Sequence, residues 1–350
     1  MAERNDLSRA RVLVTGGAGF MGSNFVRYFL NRFPESHVVV LDVLTYAGRR
    51  ENLSGLPEQS LTFLEGDICD PKLVMQAMDG CEYVLNFAAE SHVDRSLERG
   101  GGFVWTDVLG VYMLCECARR LPIRRFVQVS TDEVYGEVLE GQATEEWPLR
   151  PRSPYSASKA GGEHMAHSAW ATWGLPVVVT RSSNNYGPFQ YPEKLIPLFI
   201  TNAIDNQLLP VYGTGRNRRD WLHVLDQCAA LVAVLEQPGI EGQTFNVGAG
   251  NEFDVLTITA FILKLLGKPP SLVRHVEDRP GHDRRYAVDS QKLTVLSGWR
   301  PQVSFEEGMR HTVEWYVANE WWWRPIKNGE FRAYYERMYG GRKVLKEVRA

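Results

Sequence analysis

The sequence predicts an α/β protein: a doubly wound parallel sheet followed by a smaller mixed α/β lobe. Three observations carry that prediction. Short apolar runs rich in β-branched residues recur along the first half with helix-length segments between most of them. A Gly-rich break follows the first run and opens a helical pattern. An acidic residue closes the second run.

The first unit is "RVLVTGGAGFMGSNFVRYFLNRF", a strand, a glycine turn and a helix in succession. The same rhythm returns in "HVVVLD", "LTFLEGDI", "YVLNFAA", "RFVQVS" and "PVVVTR". Strands apolar on every position belong to a parallel sheet covered on both faces. After about Tyr186 the rhythm weakens. There "YPEKLIPLFITNAI" and "DVLTITAFILKLLGK" read as helices, and "LLPVYG" and "TFNVG" as short strands. The expected organisation is residues 1–185 for the cofactor and reactive groups, 186–330 for a substrate lobe, and 331–350 as a loosely ordered tail. The boundary near 185 is soft, because a strand such as "TFNVG" can return to the first sheet.

Composition narrows the function. The chain of 350 residues has ordinary apolar and charged fractions and a formal net charge of −3, which argues against nucleic acid or an anionic membrane as partner. No run approaches the ~18 apolar residues of a membrane span, and the N-terminus lacks an apolar signal core. The five cysteines show no CxxC spacing, so neither a disulfide framework nor a metal site is expected. These features predict a cytoplasmic protein acting on a small molecule.

In "VTGGAGFMG", Gly16, Gly19 and Gly22 stand three residues apart between the first strand and the first helix. Glycines there let the backbone approach a pyrophosphate, which the helix N-terminus attracts with its free N–H groups. This is the Rossmann dinucleotide arrangement. Asp42, at the end of the second strand, suits the ribose hydroxyls and favours NAD over NADP, because a carboxylate repels a 2′-phosphate. Arg49 and Arg50 lie farther along, within reach of such a phosphate. Asp67 suits either the adenine edge or a helix N-cap.

"YSASK" places Tyr155 and Lys159 on one helix face, one turn apart. A tyrosine with its reference pKa of ~10 is a poor base at neutral pH; an ammonium and a positive nicotinamide ring favour its phenolate. Upstream, "STDEVYG" sets two carboxylates, Asp132 and Glu133, directly after an apolar strand.

Together "VTGGAGFMGSN", "LDVLTYAG", "NFAAESHVDRS", "STDEVYG", "SPYSASKA", "RSSNNYGPFQ", "PEKLIP", "RRDWLHV" and "DRPGHDRRYA" resemble the extended short-chain dehydrogenase/reductase superfamily and, within it, the dTDP-glucose 4,6-dehydratases. The resemblance runs from about Arg11 to about Trp315. It implies a hydro-lyase that oxidises C4 of a nucleotide-linked hexose with NAD, eliminates water across C5 and C6, and returns hydride to C6. Tyr155 would take the O4 proton with Lys159 beside it, Glu133 would abstract the C5 proton, Asp132 would protonate the departing hydroxyl, and Thr131 would bond the O4 region. Further cofactor contacts implied are Phe20, Met21, Thr45, Ile68, Ala88, Ala89, Ser91, Thr106 and Asn185. Substrate contacts would be Ser91, Thr131, Asn184, Lys194, Leu195, Pro210, Tyr212, Arg219, Asn246, Arg279 and His282, the last equally readable as a surface histidine. The resemblance also implies a homodimer through helices that include the YxxxK helix. Alternatives are a dehydratase for another nucleotide sugar, a 4-epimerase, and a non-catalytic NAD-binding sensor. Departures from the resembled pattern are Asp107 and Val111, where Asn and Thr are more usual. The chain also carries the triple glycine 100–102, and Gly161 and Gly162 inside a helix, where each glycine costs about 1 kcal/mol against Ala.

Overall fold

A computed structural model describes residues 4–98, 100–328 and 330–345. The strands and helices of the first half alternate as the apolar runs require: β1 (Arg11–Thr15), α1 (Phe20–Arg32), β2 (His37–Asp42), β3 (Leu61–Glu65), α2 (Pro71–Met78) and β4 (Tyr83–Asn86). Next come α3 (Val93–Glu98), α4 (Gly101–Val104), α5 (Val111–Ala118), β5 (Arg125–Thr131), α6 (Pro154–Trp173) and β6 (Val177–Ser182). The second half adds β7 (Asn184–Tyr186), α7 (Leu195–Ile204), β8 (Leu209–Tyr212), β9 (Arg218–His223), α8 (Val224–Glu236), β10 (Thr244–Val247), β11 (Glu252–Asp254), α9 (Val255–Leu265) and β12 (Val273–Val276).

The main sheet has seven strands in the order β10-β6-β5-β4-β1-β2-β3, and every pairing is parallel. β1 pairs with both β2 (Val12 opposite Val38) and β4 (Val12 opposite Tyr83), so the strand order reverses there and leaves a crevice at the carboxyl ends. Both faces are covered. α1 and α8 pack over one, around Phe25, Phe29, Val14 and Leu231. α2, α5 and α6 cover the other, around Leu13, Val84, Leu114 and Phe126. β10 joins the edge beside β6, so the sheet takes its last strand from well beyond residue 185.

The lobe holds two small sheets, β11-β9-β7 and β12-β8, over an aromatic core that includes Phe199, Trp221, Phe305, Tyr316, Trp322 and Trp323. β7 starts two residues after β6, which carries the chain from the main sheet directly into the lobe.

The described part of the C-terminal stretch is not a loose tail. Glu330–Tyr335 is helical, Phe331 and Tyr334 are buried, and Val344 bridges to Val276. Its physical cause is composition: four aromatic residues in "FRAYYERMY" have too much apolar surface to remain in water. Residues 346–350 lie outside the described residues.

α6 shows why its two glycines are tolerated. A Cβ on Gly162 would stand 2.4 Å from the Asp107 carbonyl oxygen, and one on Gly161 2.8 Å from a Val108 methyl. Close approach of the turn 105–110 to α6 is what the helix gains for its lost propensity.

Candidate active site

A cavity of about 470 Å³ opens along the carboxyl ends of the central strands. Its first end is made of backbone. Gly16 has φ +67°, and a Cβ there would lie 2.6 Å from the Ala88 nitrogen; a Cβ on Gly22 would lie 2.3 Å from the Gly16 carbonyl oxygen. Only glycine leaves this loop flat against the mouth of α1. Asp42 Oδ2 accepts the Ala18 N–H at 2.9 Å and Oδ1 accepts the Leu44 N–H at 2.9 Å. Burial raises its pKa, and those N–H bonds oppose the rise. Asp67 lines the cavity and accepts the Cys69 N–H at 2.9 Å, while α2 is capped by Asp70 instead, which removes the cap reading of Asp67. Arg49 pairs with Glu51 at 3.3 Å and Arg50 with Glu65 at 2.8 Å at the surface, and neither lines the cavity.

All the residues expected to touch cofactor line this cavity: Gly16, Gly19, Phe20, Met21, Gly22, Asp42, Thr45, Asp67, Ile68, Ala88, Ala89, Ser91, Thr106, Tyr155, Lys159 and Asn185. A dinucleotide fits the residues present on a second ground. Ser182 Oγ, Asn184 Oδ1 and Asn185 Oδ1 are buried along one wall without a hydrogen-bond partner. Buried polar atoms require partners, and a polar ligand supplies them.

At the middle of the cavity stand Thr131, Asp132, Glu133, Tyr155 and Lys159. Thr131 ends β5 and caps the short turn Asp132–Tyr135: its hydroxyl accepts the Glu133 N–H at 3.2 Å and donates to Asp132 Oδ1 at 3.2 Å. The Tyr155 phenol lines the same part of the cavity. α6 is fixed at its start by a capping box between Ser153 and Ser156, and Lys159 Nζ donates to the Val129 carbonyl at 2.8 Å.

Electrostatics separates the two carboxyls. Burial, then the Glu133 charge, pushes Asp132 well above the usual carboxylate range, and its Oδ2 has no partner. Burial also raises Glu133, but the cations Arg279, Arg219 and Lys194 pull it back. Tyr155 is pushed well above its ordinary value by burial and by the Glu133 and Asp107 charges. Lys159 is lowered by burial and held up by Asp107 and Glu163. In the chain alone, therefore, burial and the neighbouring carboxylates favour the phenol, and a positive ligand in the cavity would favour the phenolate expected from YxxxK.

The far end belongs to the lobe. Lys194 donates to the Ser91 carbonyl, and Ser91, Thr131, Asn184 and Lys194 line the cavity. Beyond them Arg279 pairs with buried Asp94 at 2.8 Å, and the Tyr212 hydroxyl donates to the same carboxylate at 3.3 Å. Arg219 donates to the Asp283 carbonyl at 2.9 Å and stacks over Tyr286. His282 is not a surface residue: it packs edge-on against Tyr212 and bonds Asp278 at 2.7 Å. Tyr212, Arg219, Arg279 and His282 do not themselves line the cavity, and three further expected substrate contacts lie elsewhere. Leu195 packs into the lobe core. Pro210 lies in β8, paired with β12. Asn246 is fully buried, its amide donating to the Ala143 and Asp289 carbonyls and its oxygen accepting the Tyr135 hydroxyl, so no polar atom is left for a ligand.

Residues that sequence reasoning missed come from the C-terminal stretch. Tyr339 stacks on Tyr212, Arg342 lies over the Tyr212 ring, and Tyr334 contacts His92 and Arg95. The available signal was the density of aromatic residues in "FRAYYERMYGGR".

A family profile described as GDP-mannose 4,6 dehydratase matches residues 13–312. A dTDP-glucose 4,6-dehydratase of Streptomyces niveus is 49% identical over 323 residues, 91% of this chain and 96% of its own. The low-salt glycan biosynthesis protein Agl12 of Haloferax volcanii is 50% identical over 310 residues, 88% of this chain and 99% of its own. Among solved structures, DesIV, a dTDP-glucose 4,6-dehydratase from Streptomyces venezuelae crystallised with NAD and dTDP, superposes with a TM-score of 0.88 at 48% identity, over 91% of this chain and all of that one.

Proposed function

The chain belongs to the GDP-mannose 4,6 dehydratase family within the extended short-chain dehydrogenase/reductase superfamily, and from that premise we propose that it is an NAD-dependent dTDP-glucose 4,6-dehydratase, a hydro-lyase that forms dTDP-4-keto-6-deoxyglucose and water. The observation that carries the reading is the pair at the end of β5. Two adjacent carboxyls sit in one cavity with Tyr155; burial raises both, but pushes Asp132 much further because three cations oppose the rise at Glu133. Groups whose environments drive their pKa values apart divide into acid and base.

NAD held by the glycine loop, Asp42 and the Asn184–Asn185 wall supplies the hydride acceptor for C4 and the donor for C6. Tyr155, once deprotonated beside the Lys159 ammonium, takes the proton from O4 as C4 is oxidised. The ketone acidifies the C5 proton, which Glu133 removes. Asp132, whose burial favours the protonated form, gives its proton to the departing C6 hydroxyl, and Glu133 returns a proton to C5. Lys194, Arg219 and Arg279 hold the negative diphosphate and nucleotide end; the guanidinium fork suits bidentate phosphate contact.

Two further features belong to the same proposal. Val104, Trp105 and Tyr112 are exposed on the α4–α5 stretch that packs beside α6, which supports a homodimer through these helices. Among the described residues no helix is long and apolar enough to cross a membrane, and the substrate is a soluble metabolite, which supports action in the cytoplasm.

Turnover against dTDP-, UDP-, CDP- and GDP-glucose, read by the ultraviolet absorbance of the keto sugar in alkali, tests the substrate; no product with the dTDP sugar rejects the proposal. Role assignment is tested by exchange of the C5 proton with heavy water. Glu133→Gln is expected to abolish exchange, whereas Asp132→Asn keeps some exchange and loses elimination. Loss of exchange only in Asp132→Asn reverses the two roles.

A further inference from the structure

Asp107 is a buried carboxylate that the chemistry above does not use. It sits in a π-turn, Trp105–Gly110, that interrupts the helical stretch between α4 and α5, and it is 2% exposed. Both of its oxygens are held. Oδ1 accepts the Glu90 N–H at 3.0 Å, and Oδ2 accepts the Ser158 hydroxyl at 2.5 Å. Ser158 precedes Lys159 and follows Tyr155 by three residues, so Asp107 grips the helical turn that carries both. The grip is close because Gly162 has no side chain to strike the Asp107 carbonyl.

The charged groups around it are few. From α6 come Lys159 and Tyr155, with Glu163 acting on Lys159 as well. From the β4–α3 connection comes Glu90. α4 carries no titratable side chain, and the sulfur of Cys69, from the β3–α2 connection, rests on the Trp105 carbonyl. The negative charge of Asp107 thus falls on the two groups that handle the first proton, and it acts on both in the same direction.

We propose that Asp107 is a positioning residue for the proton relay: its carboxylate, clamped between the Glu90 amide and the Ser158 hydroxyl, fixes the first turns of α6 and sets the charge of Lys159 and Tyr155 together. This rests on the reading of Tyr155 and Lys159 as the proton-handling pair. Its signature is a shift of sign. A negative neighbour favours the ammonium and disfavours the phenolate, so removing it makes both groups release protons at lower pH.

Asp107→Asn isolates the charge, because the amide still accepts from Glu90 and donates to the Ser158 oxygen. Competitive acetylation with acetic anhydride, with the Lys159 peptide quantified by mass spectrometry from pH 7 to 10, where Asp107, raised by burial to about 6, carries its charge, needs no turnover. Lys159 in the variant is expected to react about tenfold faster at a pH below its midpoint, one unit of displacement being a factor of ten. With dTDP-glucose the bell-shaped kcat profile is expected to slide to lower pH on both limbs. A purely structural Asp107 lowers the height of both curves and leaves their midpoints in place, which overturns the proposal. Superimposable Lys159 curves overturn it too. If acetylation shifts while dTDP-glucose is not turned over, the dehydratase reading fails and this one stands. Should Asp107→Asn not fold, Asp107→Ser is read in the same way and is expected to give the same displacement.

Discussion

The two ends of the cavity are built on opposite plans. At the cofactor end the contacts are backbone, glycine and short apolar side chains, with Asp42 the carboxylate anchored by two neighbouring N–H groups. At the lobe end the contacts are long charged side chains, each oriented by a partner far away in sequence: Arg279 by Asp94, Lys194 by Ser91, Arg95 by Glu193. One end is shaped by local chain geometry and the other by tertiary ion pairs. The difference teaches where each end is vulnerable. A single methyl group damages the first, whereas the second is damaged by removing a charge and leaving its buried partner alone.

The largest test of this contrast lies between the ends. Tyr155→Phe removes the phenolic oxygen and touches neither anchor, so turnover is expected to fall by ~100 to 10,000-fold while NAD and dTDP still bind, measured by steady-state rates and by calorimetric titration. Near-normal turnover removes Tyr155 from the mechanism.

Gly22→Ala attacks the backbone-built end. Its Cβ would overlap the Gly16 carbonyl, and overpacking of this kind costs ~1–3 kcal/mol, so NAD affinity is expected to drop by up to about 100-fold with dTDP affinity retained. Equal loss at both ends would break the comparison.

Arg279→Gln is the counterpart at the charged end. It removes a charge-assisted contact and strands Asp94, so dTDP affinity is expected to weaken by roughly 10-fold or somewhat more with NAD affinity unchanged. A matching loss of NAD binding would show that the two ends are coupled.

The smallest effect concerns acid. Burial pulls His92 down to about 4 from its ordinary value near 6.5, and its ring packs edge-on against Tyr334 at the lobe end. The fold therefore favours the neutral ring: that stability is complete above about 6.5 and is lost as pH falls toward 4. Between pH 7 and pH 5 the wild type is expected to lose ~1–2 kcal/mol more than His92→Asn, read from chemical denaturation at the two pH values. Parallel losses in both proteins would clear His92 of this role.

What the sequence determined by itself is the part encoded by neighbours along the chain. The β-turn-α rhythm, the glycine loop with Asp42, the adjacency of Asp132 and Glu133, and the helical spacing of Tyr155 and Lys159 are short-range patterns, and backbone periodicity is enough to place them. Tertiary structure decided the rest. Which carboxyl keeps its proton depends on burial and on cations from residues 194, 219 and 279, brought to residue 133 by the lobe. Asn246 lies in the expected strand, yet its side chain is consumed by carbonyls 43 and 103 residues away, which no local pattern reveals. The C-terminal aromatics reach Tyr212 and His92 only because the lobe offers them a surface on which to leave water. Local sequence sets backbone form, but the energy of a charge or a buried polar group depends on everything within a few ångströms, and only folding assembles that neighbourhood.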